Sequence, residues 1–212
     1  MDILQNIRDH ADIPLSHQYI MSLLMGFKRP NDKIHDLVKK GILTPVKRGI
    51  YIPGPVLGVS TPEPYLIANH LLGPSYVSAE SALHYYGLIP ERVYETVSMT
   101  TKAARVYTTP VGRFSYIKLR MPYYVLGINQ QKQGDDLIAL MASPEKALFD
   151  KIVITPHVLF RSRKESLEYL VEDLRLDETG LKSLHTGIMR EWLTVSPKQE
   201  TLLNVIQSIE LL

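Results

Sequence analysis

Between Lys28 and Arg48 the sequence gathers seven cations, Lys28, Arg29, Lys33, Lys39, Lys40, Lys47 and Arg48, against two acids, Asp32 and Asp36. Cations at that density neutralise a polyanion and release its counterions, which is the main source of affinity for duplex DNA. The rest of the chain does not share this bias. Residues 1–52 hold 8 Lys+Arg and 5 Asp+Glu, residues 53–150 hold 8 and 8, and residues 151–212 hold 8 and 9, so the overall +2 conceals a positive first segment.

Other chemistry finds less support. Ser143-x-x-Lys146 has the spacing of a serine nucleophile and lysine base, but S-D-N and K-T-G companions are absent and Ser143 before a proline reads as a helix cap. Asp135 and Asp136 are adjacent, so in a strand they would point to opposite faces, and a charged turn after Gly134 is the simpler reading. Ser78 and Ser81 read as cap and first-turn residues, and His84, Tyr85 and Tyr86 as packing or surface. His70, His84, His157 and His185 are scattered, without zinc spacing, and no glycine-rich phosphate loop occurs. The expectation is a protein that is not an enzyme, with no metal and no cofactor.

The elements that must position the cations follow from the same stretch. Asn31 can cap a helix and Gly41 can end it in the left-handed conformation, while Ile34, Leu37 and Val38 form one apolar stripe. Lys33, His35, Asp36, Lys39 and Lys40 then face outward. After Gly41, residues 42–46 and 49–52 read as two strands around a cationic tip at Lys47 and Arg48. Upstream, residues 2–10 and 16–25 carry apolar residues at helical spacing, with Ser16 as a cap. Three helices followed by a hairpin is the order of a winged helix-turn-helix, in which the last helix enters the major groove. On that reading Lys33, His35 and Asp36 face base edges, while Lys28, Arg29, Lys39, Lys40, Lys47 and Arg48 meet phosphate.

Pro53-Gly54-Pro55 marks a boundary, giving an expected DNA-binding domain at 1–53 and an α+β domain at 54–212. In the latter, helices are expected over 62–72 and from Ser78 to Gly87, then four or five antiparallel strands between 93 and 142, including one at YYVLGI. Ser143-Pro144 opens a helix, and further helices are expected at about 164–174, 178–192 and 197–212. In the last, Leu202, Val205, Ile206, Ile209 and Leu212 form a stripe that must pack on the body or on a partner.

Composition agrees with a soluble globular protein: 45% hydrophobic and 22% charged residues among 212. No run reaches the roughly 18 apolar residues of a membrane helix, and MDILQNIRDH carries charge where a secretion signal is apolar, so no membrane partner is expected. The absence of cysteine excludes disulfides, thiolate nucleophiles and cysteine-ligated zinc, and fits a cytoplasmic location.

Three stretches together, DKIHDLVKKGILTPVKRGIYIP, GPSYVSAESALHYYGLIPE and ASPEKALFDKI, resemble the antitoxins (AbiEi) of type IV AbiE abortive-infection toxin-antitoxin systems in order and spacing, over about residues 30–152. The resemblance implies an N-terminal winged helix that binds the operator of its own operon as a transcriptional repressor. It also implies a second domain that counteracts a nucleotidyltransferase-like toxin, in phage defence, without a stable complex. Lys33, Lys39 and Lys40 match the family's exposed helix positions and Lys47 with Arg48 its basic wing, whereas His35 and Asp36 stand where Arg or Ser is usual. Two further readings stay open: a stand-alone winged-helix regulator, and a protein-protein interaction module built on the C-terminal stripe.

Overall fold

The computed structural model describes residues 2–91, 93–134 and 137–212. The expected turn at Asp135-Asp136 lies outside the described residues. The chain is mixed α+β, and no described helix is long and apolar enough to cross a membrane.

The first part runs α1 (Ile3–Asp9), β1 (Leu15–Ser16), α2 (His17–Leu23), α3 (Pro30–Lys39), β2 (Leu43–Lys47) and β3 (Ile50–Pro53). Ser16 caps α2 by accepting the Tyr19 amide. At α3 the structure corrects the expected cap: Pro30 occupies the first turn, Arg29 holds the cap position, and no side chain bonds there. Proline fits because its fixed φ suits the first turn and its missing donor would have had no partner. The hairpin β2–β3 is joined on its other edge by β1, which pattern reading missed because two residues carry no periodicity. Ile7, Leu15, Ile20, Leu24, Ile34, Leu37, Leu43 and Leu57 bury a small core beneath the three helices.

The second part contains α4 (Pro64–Leu71), β4 (Ser75–Val77), α5 (Ala79–Tyr85), β5 (Glu95–Thr100), β6 (Arg105–Thr109), β7 (Gly112–Lys118), β8 (Ile128–Lys132) and β9 (Ile138–Ala142). These strands form one six-stranded sheet in the order β6-β7-β5-β4-β9-β8. It is mixed, not antiparallel as expected, because β5 pairs with β7 and β4 with β9 in parallel. The run at YYVLGI is no strand at its start: Tyr123–Val125 is a 3-10 turn, and β8 begins only at Ile128.

Five helices complete the chain: α6 (Pro144–Ile154), α7 (Arg163–Glu168, continued by a π-turn over Tyr169–Asp173), α8 (Glu178–Lys182), α9 (Thr186–Trp192) and α10 (Gln199–Ile209). The expected single helix over 178–192 is broken between Lys182 and Thr186. The stripe on α10 is satisfied inside the chain, since Leu202, Val205 and Ile206 are fully buried and Ile209 nearly so.

At the centre of the second part lies a buried charge pair. Lys146 and Asp150, one turn apart on α6, are both 0% exposed, and Lys146 Nζ donates to Asp150 Oδ1 at 2.5 Å. Asp150 Oδ2 accepts from Ser78 Oγ at 2.7 Å and from Tyr76 Oη at 3.0 Å. The Lys146 ammonium also sits 3.3 Å from the ring centroid of Tyr123. Ser78 does occupy the cap position of α5, but its hydroxyl serves Asp150 and not the helix. The next residue, Ala79, is held at φ 48°, a left-handed conformation that costs a residue with a Cβ about 1–2 kcal/mol. Burial pulls the Lys146 pKa below its ordinary value, against the opposing pull of Asp150. Burial, then the Asp150 charge, pushes the Tyr76 and Tyr123 hydroxyls far up.

Removing one member of such a pair leaves a buried charge alone, so Lys146→Met is expected to cost about 3–5 kcal/mol in urea unfolding. A loss within experimental error would show that the pair is dispensable. The tyrosines set an alkaline limit. Their folded pKa values lie above 10.0, so the stability they contribute is whole below that pH and is lost as the pH rises beyond it. Lys146 acts with opposite sign, because the unfolded chain holds its proton more tightly and its cost is relieved as the pH approaches 10.5. The net expectation is a melting temperature that falls steeply above about pH 10, with tyrosinate absorbance appearing together with loss of circular dichroism. Tyrosinate forming in full while the fold persists would contradict it.

Candidate nucleic-acid interface

The geometry of the basic segment divides its cations into free and engaged groups. Lys28, His35, Lys39 and Arg48 are exposed and have no acidic partner among the described residues. Arg29 reaches Asp32 at 3.5 Å, but both side chains are largely exposed and the contact is weak. Asp36 is different. It lies between Lys40 at 3.0 Å and Lys33 at 3.5 Å, and the hydrogen bond from Lys40 holds its carboxyl below the usual range. Both lysines meet the same oxygen, Asp36 Oδ2, and Lys33 additionally lies over the Phe27 ring at 5.8 Å. Of the three residues expected to face bases, His35 alone is unencumbered.

The hairpin tip departs further from the expectation. β2 runs through Lys47, so the turn itself is Arg48-Gly49, with Gly49 at φ 83°. A register shift between Pro45 and Lys47 accompanies this turn. Lys47 is half-buried and points at the second part of the chain: its Nζ donates to the Leu71 carbonyl at 2.7 Å and lies 5.5 Å from the Tyr107 ring centroid. A cation at the last turn of α4 meets unpaired helix carbonyls and the negative end of the helix dipole. Lys47 and Arg48 were expected as an equal pair on phosphate; Arg48 is outward and exposed, and Lys47 is committed within the chain.

The same junction explains Pro53-Gly54-Pro55. Far from a loose linker, Gly54 is buried and its amide donates to the Ile42 carbonyl at 2.8 Å. A Cβ at Gly54 would fall 2.1 Å from the Gly41 carbonyl oxygen. Gly41, at φ 68°, ends α3 as expected and also faces Val56. Val46 and Ile52 of the hairpin belong to the large core of the second part. The end of α3, the hairpin and the second part are therefore packed against one another through glycine contacts and a lysine.

The chemistry set aside from sequence can also be placed. Ser143 caps α6 by accepting the Lys146 amide and donates to Glu145 Oε2 at 2.8 Å, while Lys146 Nζ turns to Asp150, so no serine-lysine pair exists. Ser81 ties α5 to β5, donating to the Glu95 carbonyl and accepting from the Val97 amide. Tyr86 donates to the Ala142 carbonyl, and burial pushes its hydroxyl up to about 12. Among the described residues no cluster of three or more His, Cys, Asp or Glu could hold a metal ion.

No family model matches the chain, and no curated protein matches it. Among solved structures, the crystal structure of the RV2827C protein from Mycobacterium tuberculosis is similar, with a TM-score of 0.62 at 13% identity over 98% of this chain and 75% of that chain. A likeness at that identity is one of fold alone.

The junction makes a direct prediction. Gly54→Ala has no room for its methyl against backbone, so it is expected to destabilise the chain by about 1–3 kcal/mol or more, read by urea denaturation. An unchanged midpoint would show that the segment yields freely.

Proposed function

We propose that the first 53 residues are a winged helix-turn-helix and that the protein is a DNA-binding transcriptional repressor. The observation that carries this reading is the set of cations with no acidic partner among the described residues on α3, just before it and at the hairpin turn: Lys39, Lys28 and Arg48. They sit on a helix-plus-hairpin unit whose apolar side is buried. In this account α3 lies in the major groove with His35 toward the bases. Lys28, Arg29, Lys39, Lys40 and Arg48 lie on the backbone, and Lys47 anchors the wing to the second part.

The antitoxin half of the proposal, a type IV AbiE-like system in which the protein regulates its own operon and offsets a nucleotidyltransferase-like toxin, rests on the three resembling stretches. Two of them meet in the core: Tyr76 and Ser78 from the second stretch bond Asp150 from the third. That contact supports a shared architecture for the second domain, since it binds segments distant in sequence by a buried charge. The rival reading, an interaction module built on the C-terminal stripe, loses its motive because α10 is covered within the chain.

The test is binding of the purified protein to the duplex upstream of its own gene and to an unrelated duplex, at several salt concentrations. Selective binding is expected. Arg48→Ala should lower the slope of log K against log salt by about 1, the share of one phosphate contact. Equal, feeble binding to both duplexes would overturn the repressor reading.

A further inference from the structure

Beyond the hairpin, the second part carries cations of its own in a segment that has no acid at all. From Thr96 to Gly134 the sequence holds six basic residues, Lys102, Arg105, Arg113, Lys118, Arg120 and Lys132, and no Asp or Glu. Among the described residues only Arg113 has an acidic partner, Glu95 at 3.0 Å. Lys102, Arg105, Lys118 and Arg120 are exposed and have no acidic partner among the described residues.

Register places these four together. Arg105 lies opposite Tyr116, and Lys118 follows two residues later on the same face of the sheet. Lys118 is in register with Thr100 of β5, and Lys102 and Arg120 each lie two residues from that pair. The Leu119 amide bonds the Thr100 carbonyl and the Lys102 amide bonds Thr100 Oγ1, which closes the two loops onto the same sheet end. This is the end where α4 finishes, and where Lys47 reaches the Leu71 carbonyl.

The link to the hairpin is the Tyr107 ring. Lys47 Nζ lies 5.5 Å from its centroid, and Arg105 Nη1 donates to its hydroxyl at 3.5 Å. Arg48, Lys47, Arg105 and then Lys118 with its loop neighbours thus form a run of positive charge that crosses from the first part to the second. Potentials from neighbouring cations add, and exposed cations kept close without counter-charges on the protein favour a polyanion outside it.

We propose that this sheet end is a second phosphate-binding surface, and that duplex DNA engaged by the hairpin continues onto Arg105, Lys118, Lys102 and Arg120. The inference rests on the DNA-binding reading above. The occupant is a DNA backbone because the surface continues a wing and its segment, residues 96–134, carries cations without any acid. It reads no sequence; it lengthens the footprint and raises affinity for any duplex.

The experiment compares the wild-type protein, Arg48→Ala and the double variant Arg105→Ala/Lys118→Ala on a random-sequence duplex of about three helical turns across a salt series. Both positions are exposed, and circular dichroism checks that the fold is kept. The double variant is expected to lower the slope of log K against log salt by about 2, while its discrimination between the upstream and unrelated duplexes stays unchanged. An unchanged slope in the double variant, with Arg48→Ala still lowering it, would overturn the second surface and leave the hairpin reading intact. Failure of the wild-type protein to bind any duplex would overturn both.

Discussion

A lysine and an aspartate removed from water are tolerable only together, and only with their remaining hydrogen-bonding capacity filled. Asp150 meets that condition through Ser78 and Tyr76, and the Lys146 ammonium faces the Tyr123 ring; the three come from a loop before α5, from β4 and from the turn before β8. The pair therefore fixes three segments at one point. It holds β4 between its antiparallel neighbour β5 and its parallel neighbour β9, and it sets the start of α5 through the left-handed Ala79. The hairpin then builds outward from this body, through Val46, Ile52 and the Lys47 ammonium on the last turn of α4.

What could be read from sequence was local. Ser16 and Ser143 mark helix starts by their side-chain oxygens and Gly41 and Gly87 mark helix ends by their left-handed backbone, and all four stand at helix ends in the structure. The pattern of α10 was legible because a helix that buries one stripe repeats every three to four residues. What failed was non-local. Strand direction depends on which strand lies beside which, and nothing in RVYTT or RFSYIKLR states that β7 pairs in parallel with β5. Two residues at β1 carry no period, and the break near His185 leaves the apolar spacing of 178–192 almost unchanged.

The candidate interface shows the same division. Its charge was visible as a count, but a count does not say which cations are spent inside the protein. Lys47 and Arg48 are neighbours of the same sign, yet Lys47 ends β2 and reaches α4 while Arg48 sits in the turn and is exposed. Asp36 looked like a base-reading group and is instead shared between Lys33 and Lys40 one turn away on either side. Lys146 was visible in a serine-lysine spacing; that its charge is buried follows only from Tyr76 and Tyr123, which no spacing connects to α6.

In the proposed function α3 and the hairpin together grip DNA while the body behind them stays closed on its buried charge pair. Amide hydrogen exchange of the protein with and without the duplex upstream of its gene addresses this directly. Slowed exchange in α3 and across the hairpin, with β4, α5 and α6 unchanged, is the predicted result. Slowed exchange elsewhere with α3 and the hairpin unaffected would contradict it.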